Sequence, residues 1–194
     1  MLPTPSQTVG PFYGYALPFP GGGEIAPAGH RDTIVVHGRV LDGGGEPVPD
    51  ALLEIWQPGP DGSRTGAPGS LRRDQVTGGH AGRDGVTFTG FGRVATDADG
   101  RYVLRTLAPG GVPYLSVCVF ARGLLHHLFT RIYLPAEDRT ADRADPVKPL
   151  LDPLLGSLEP RRRATLLAVE ETRGSYRFDL RLQGPEETVF LDFH

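Results

Sequence analysis

Apolar and polar residues alternate along much of this 194-residue chain, with the two-residue period of strands far more often than the period of helices. Residues 33–40 and 51–57 read as two strands joined through Asp42-Gly43-Gly44-Gly45-Glu46-Pro47. Residues 91–96 and 101–107 read as a hairpin turning on Asp97-Ala98-Asp99-Gly100. Residues 114–121 are nearly all apolar or β-branched. Tyr114, Ser116, Cys118 and Phe120 share one side of that run, and Leu115, Val117, Val119 and Ala121 share the other. With both sides largely apolar, a central strand buried on both faces is predicted. Arg122-Gly123 breaks it, and a further strand leaves near Leu125 and ends at Leu134. Over residues 175–182, Tyr176, Phe178, Leu180 and Leu182 oppose Arg177, Asp179 and Arg181, which predicts a half-exposed antiparallel strand. A short last strand is expected over residues 188–193. The helical period occurs once, over residues 160–169, where Ala164, Leu167 and Ala168 form a stripe. Arg161-Arg162-Arg163 in its first turn oppose the helix dipole, which implies an acidic neighbour or else a solvated basic face.

Three segments lack a period. Residues 1–31 carry Phe12, Tyr13, Tyr15 and Phe19, more aromatics than a frayed tail holds, so an arm packed on another surface is expected. Residues 58–90 form a long Gly/Ser/Arg-rich loop, and residues 138–159 a polar, Pro-containing excursion. Gly 27 and Pro 19 suit a β protein with many turns, and the length suits one domain over residues 1–194. A formal net charge of -3, with both signs interspersed, gives no electrostatic case for nucleic acid or an anionic membrane. The single Cys118 reads as a small buried hydrophobe and fits a reducing compartment. Met1-Leu2-Pro3-Thr4 has no basic, apolar leader pattern and no stretch approaches a membrane span, so a cytoplasmic location is expected.

Few motifs carry chemistry on their own. Gly90-Phe91-Gly92-Arg93-Val94-Ala95 matches a dinucleotide fingerprint but opens no helix, and Asp97-x-Asp99-Gly100 lacks the positions of a calcium loop. His126 and His127 are adjacent, which on a strand sends them to opposite faces, and His80 has no ligand spacing near it. Arg122 ends the apolar strand at a turn, where a guanidinium can grip a carboxylate bidentately; on the residues alone, a surface salt bridge is the ordinary outcome. Thr8, Gly10 and Pro11 read, on the residues alone, as a turn.

Taken together, four stretches resemble the intradiol aromatic-ring dioxygenases: T-P-S-Q-T-x-G-P-F at the start, G-R-V-x-D-G through E-I-W-Q, A-R-G…T-R-I-Y after the apolar strand, and Y-R-F-D-L-x-L-x-G near the end. The resemblance runs over residues 4–193 apart from 58–90. It implies an all-β, prealbumin-like sandwich with long loops and one short helix. In that family, iron-bearing chains open the apolar strand with His-x-His, two ligands of ferric iron. Here the triplet is Tyr114-Leu115-Ser116. Family tyrosine ligands also lack counterparts, since no Tyr lies between Tyr15 and Tyr102 and the loop before Tyr114 is short. The chain is therefore similar to the family's iron-free α chains, which join an iron-bearing β chain in a higher-order hetero-oligomer. The resemblance implies 3,4-dihydroxybenzoate and O2 as substrates, with Fe(III) held by the partner β chain rather than by this one. It casts Arg122, Thr8, Gly10 and Pro11 as substrate-cleft residues. It makes Tyr114 and Ser116 the vestigial metal positions, with the Tyr114 ring filling the pocket, and it sets the residue 1–31 arm against the partner. Two other readings stand beside it: a self-sufficient iron enzyme ligating through Tyr114, and a non-enzymatic β-sandwich binding module.

Overall fold

The alternation is expressed as two stacked sheets. In the computed structural model, which describes residues 8–10, 12–66, 71–135 and 152–193, β1 (Ile34–Leu41) buries Ile34, Val36 and Val40 and turns Val35, His37 and Arg39 outward. It pairs antiparallel with β6 (Arg101–Thr106) on one side. On the other it pairs in parallel with β10 (Ser175–Arg177) and β11 (Leu180–Arg181), and β9 (Val169–Thr172) adds to β10. The second sheet is antiparallel throughout, in the order β5 (Phe91–Ala95), β2 (Leu52–Trp56), β7 (Tyr114–Phe120), β8 (Leu128–Tyr133). Leu53, Ile55, Leu115, Val117, Val119 and Ile132 of this sheet meet Val36, Leu104, Tyr176 and Leu180 of the first. The Tyr102 hydroxyl, enclosed in this apolar layer, is satisfied by donating to the Phe178 carbonyl at 2.6 Å.

Several expectations need correction. The run 175–182 is two strands parallel to β1, not one antiparallel strand. Between them the Phe178 carbonyl crosses so close to β1 that a Cβ on Gly38 would lie 1.8 Å from it, and Asp179 accepts the Arg39 backbone N–H at 3.0 Å. The helix over 160–169 stops early: α3 is Pro160–Ala164, and Thr165 ends it by donating its hydroxyl to the Arg162 carbonyl at 2.8 Å. Leu166 then drops into a second apolar cluster with Tyr133, Leu155 and Val189, and Ala164 faces solvent instead of forming a buried stripe. Among the described residues, two further short helices are present, α1 (Tyr13–Ala16) in the arm and α2 (Pro153–Ser157). The loop 58–90 holds a small hairpin, β3 (Leu71–Arg73) with β4 (His80–Arg83). Over residues 188–193 the expected strand reduces to one bridge between Leu191 and Phe129. The acidic neighbours of the α3 arginines belong to this chain: Arg161 pairs with Glu186, and Arg162 lies 3.9 Å from Glu187.

The arm packs on its own sandwich. Tyr13, Phe19, Ile25 and Ala26 are buried, and Arg93 of β5 donates to the Leu17 carbonyl at 2.9 Å. Arg83 of β4 ties arm and loop together, donating to the Gly21 and Gly22 carbonyls and to Phe91, with the Phe19 ring 5.4 Å from its Cζ. Phe12 and Tyr15 lie outside this packing, 78% and 82% exposed.

Candidate functional site

β7 is fully buried on one face, while on the other Cys118 is buried, Tyr114 and Phe120 are half-buried and the expected burial on both faces fails at Ser116. Leu115, Val117, Val119 and Ala121 enter the core, whereas Tyr114, Ser116, Cys118 and Phe120 lie on the outward face, where Ser116 is exposed. The apolar residues of this face serve two ends of the strand: Phe120 packs on Tyr13 of the arm, and Tyr114 on Tyr133. Register then fixes the neighbours. Trp56, Ser116 and Arg131 form one cross-strand row, and Glu54, Cys118 and Phe129 the next.

Arg131 governs this face. Its Cζ lies 4.1 Å from the centroid of the Tyr114 ring, and its Nη1 donates to the Tyr133 hydroxyl at 3.1 Å and to Asp152 at 3.2 Å. Burial pushes the Tyr133 phenol up to about 12, against the opposing pull of Arg131. Cys118 rises to about 12 through burial and then the Glu54 carboxylate, so it is an unreactive thiol at neutral pH. Glu54 is itself held by Arg93 at 2.8 Å. Tyr114 does not fill the concavity: about 250 Å³ remains beside it, lined by Trp56, Arg64 and Ser116. A larger cavity of about 350 Å³ opens over Ser116, Arg131 and Phe129.

The remaining residues singled out from sequence gather at the other end of β7. Arg122, 72% exposed, donates through Nε to Asp50 at 2.7 Å. The Asp50 carbonyl accepts the Tyr13 hydroxyl at 3.0 Å, and the Val9 N–H bonds the Leu124 carbonyl at 2.9 Å. Thr8 and Gly10 flank Val9, and Gly10 adopts φ +70, the left-handed region open to glycine. Pro11 lies outside the described residues. The arm and the Arg122 turn are thus one feature. Ser116 and Tyr114 are another, six or more residues of extended chain away, roughly 20 Å. Asp50 and Arg131 were missed in the sequence. Arg131 was findable, because the alternation of T-R-I-Y puts it on the side that pairs with Ser116; Asp50 carried no signal, because its contact spans 72 positions.

Residues 24–118 match the Dioxygenase family. The full chain is similar to the protocatechuate 3,4-dioxygenase alpha chain of Burkholderia cepacia, 40% identical over 97% of this chain and 96% of that one. The chain belongs to the protocatechuate 3,4-dioxygenase alpha-chain family. The alpha chain of Pseudomonas putida is 34% identical over the whole of this chain and 98% of its own length. The beta chain of Burkholderia cepacia, 33% identical, aligns with 84% of this chain and 68% of its own. Among solved structures, the dioxygenase domain of a carbohydrate-binding fusion from Streptomyces sp. SirexAA-E superposes with a TM-score of 0.53 at 26% identity, covering 94% of this chain and 99% of that one.

Intradiol dioxygenases generally use iron, and the outward face of β7 in this protocatechuate 3,4-dioxygenase alpha-chain member does not fit a ferric centre. Ser116 offers a neutral hydroxyl, and the Tyr114 ring is covered by a guanidinium that would repel a trivalent cation. Among the described residues, no three His, Cys, Asp or Glu side chains converge on a point. His127 turns its ring onto Phe120 and Phe129, at 5.5 and 4.7 Å, in an aromatic stack rather than a ligand set.

Proposed function

We propose that this chain is the alpha subunit of a protocatechuate 3,4-dioxygenase, acting with an iron-bearing beta chain in the intradiol cleavage of 3,4-dihydroxybenzoate. The reaction breaks the ring bond between the two hydroxyl-bearing carbons and adds both atoms of O2, giving 3-carboxy-cis,cis-muconate. The observation that carries this reading is end-to-end similarity to an alpha chain. Placing the Fe(III) in the beta chain is supported by the chemistry of the Tyr114 and Ser116 face, where no fitting ligand set converges among the described residues.

The part of this chain is to shape and orient. Arg122 projects into solvent from the end of β7, held ready by Asp50, and takes the ring carboxylate through charge-assisted, bidentate bonds. Thr8 and Gly10 run beside it as a wall, anchored at Val9 to Leu124. Phe12 and Tyr15, 78% and 82% exposed, face the beta chain in a higher-order hetero-oligomer.

Expression with and without the beta chain tests the reading. Alone, the chain is expected to be colourless and inactive on 3,4-dihydroxybenzoate; with the beta chain it co-purifies as an active complex. A lone chain that carries iron, shows tyrosinate-to-iron colour and cleaves catechols would overturn the assignment. A chain that never associates with a dioxygenase beta chain would favour a binding module.

A further inference from the structure

The role above leaves the Trp56–Ser116–Arg131 row unused. Its two cavities, about 350 and 250 Å³, share Trp56 and Ser116, and together they are large enough for one small ring compound. The walls are aromatic. Trp56 is held on one side by Phe91, with ring centroids 4.4 Å apart, yet it is 56% exposed. Phe129 and Phe193 meet edge to face at 5.2 Å across the larger cavity, and both are exposed. Aromatic faces left beside a concavity are stacking surfaces.

The polar groups select the ligand's charge. Ser116 presents an exposed hydroxyl on the floor. Among the described residues, the side-chain hydrogen bonds of Arg131 all leave through Nη1, to Tyr133 and Asp152, and a guanidinium carries five N–H donors. The same contacts, with the Tyr114 ring beneath, hold the group in place before a ligand arrives. Glu54 lines the larger cavity, but Arg93 neutralises it through Nε and Nη2. Arg64, on the far side of Trp56, has no ion pair among the described residues. With Glu54 paired to Arg93 and Arg131 to Asp152 at 3.2 Å, the uncompensated charge of the trough is the positive charge of Arg64, and Arg131 adds its remaining N–H donors.

We propose that this concavity binds a small monocyclic aromatic carboxylate, its ring between Trp56 and the Phe129–Phe193 pair and its carboxylate on Arg131 and the Ser116 hydroxyl. The site lies entirely within this chain, apart from the Arg122 turn, and is independent of the assembly proposed above.

Trp56 is the only tryptophan, so the emission of the full-length chain reports on it alone. Benzoate is expected to change that emission saturably, and benzamide, which keeps the ring and loses the charge, to bind at least about tenfold more weakly. Arg131→Met brings benzoate to the benzamide level. Ser116→Phe, which fills the cavity from an exposed position, abolishes both responses and decides the matter even if Arg131→Met fails to fold. Arg122→Leu leaves both affinities unchanged. No saturable response to benzoate, equal affinity for benzamide, or undiminished binding in Ser116→Phe would overturn the proposal.

Discussion

Arg122 and Asp50 show how little an exposed ion pair decides about stability and how much it can decide about orientation. The guanidinium is mostly in water, so its bond to Asp50 contributes at most about 1 kcal/mol, and Asp50→Ala is expected to leave the urea midpoint nearly unchanged. Arg122→Leu in the assembled enzyme is expected to raise KM for 3,4-dihydroxybenzoate about tenfold or more, with a smaller effect on kcat, because the lost bond is to a carboxylate remote from the reacting carbons. Steady-state kinetics reads the split, and an unchanged KM would return Arg122 to a surface role. Buried phenols give the pH dependence. The folded-state pKa of Tyr133 is pushed up to about 12, and that of the enclosed Tyr102 is also raised, both chiefly by burial. A raised pKa on an acid stabilises the fold while the group is protonated. That stabilisation is complete below the unfolded value near 10 and is lost as pH climbs toward about 12. Urea midpoints are therefore expected to hold from pH 8 to 9.5 and fall steeply above 10; a flat profile to pH 11 would contradict it.

At the scale of elements, the short helix α3 is ended by a side chain rather than by glycine or proline. The Thr165 hydroxyl donates to the Arg162 carbonyl and accepts the Val189 N–H at 3.1 Å, so it joins the helix end to the C-terminal segment. Thr165→Val keeps the shape and removes both bonds, and a loss of about 1–2 kcal/mol is expected by urea denaturation, with Thr165→Ser largely restoring it. This element also shows where a linear pattern stops being informative. Ala164, Leu167 and Ala168 carry a helical period, but Leu166 is the residue that tertiary packing selects, against Tyr133 and Leu155. The strands were legible wherever one face meets the core, as in β1, β2, β6 and the inward face of β7, because a two-residue period maps directly onto burial. Pairing direction was not. The period of residues 175–182 is the same for a parallel and an antiparallel neighbour, and only the crossing at Gly38 reveals which applies.

Across the whole molecule, the candidate residues fall into two groups at opposite ends of one strand, a separation legible from numbering alone once β7 was recognised. The content of each group was less legible. Asp50 joins Arg122 from far along the chain, and the cover on Tyr114 comes from a neighbouring strand and a helix cap. The arm is the clearest case. Its four aromatics read in the sequence as one surface-seeking set, yet Tyr13 and Phe19 are committed to this chain while Phe12 and Tyr15, placed by the same few residues, are exposed. That division makes a test possible. Replacing an exposed aromatic far from a chain's own packing changes its stability by no more than about 0.5 kcal/mol, whereas truncating a buried one costs about 3 kcal/mol or more. Phe12→Ser with Tyr15→Ser is therefore expected to leave the denaturation midpoint of the isolated chain unchanged while weakening its co-elution with the beta chain on size exclusion. Phe19→Ala should do the reverse in order of effect, lowering the midpoint first. If the double variant associates with the beta chain as tightly as the original, the exposed face of α1 is not part of the interface, and the arm serves this chain alone.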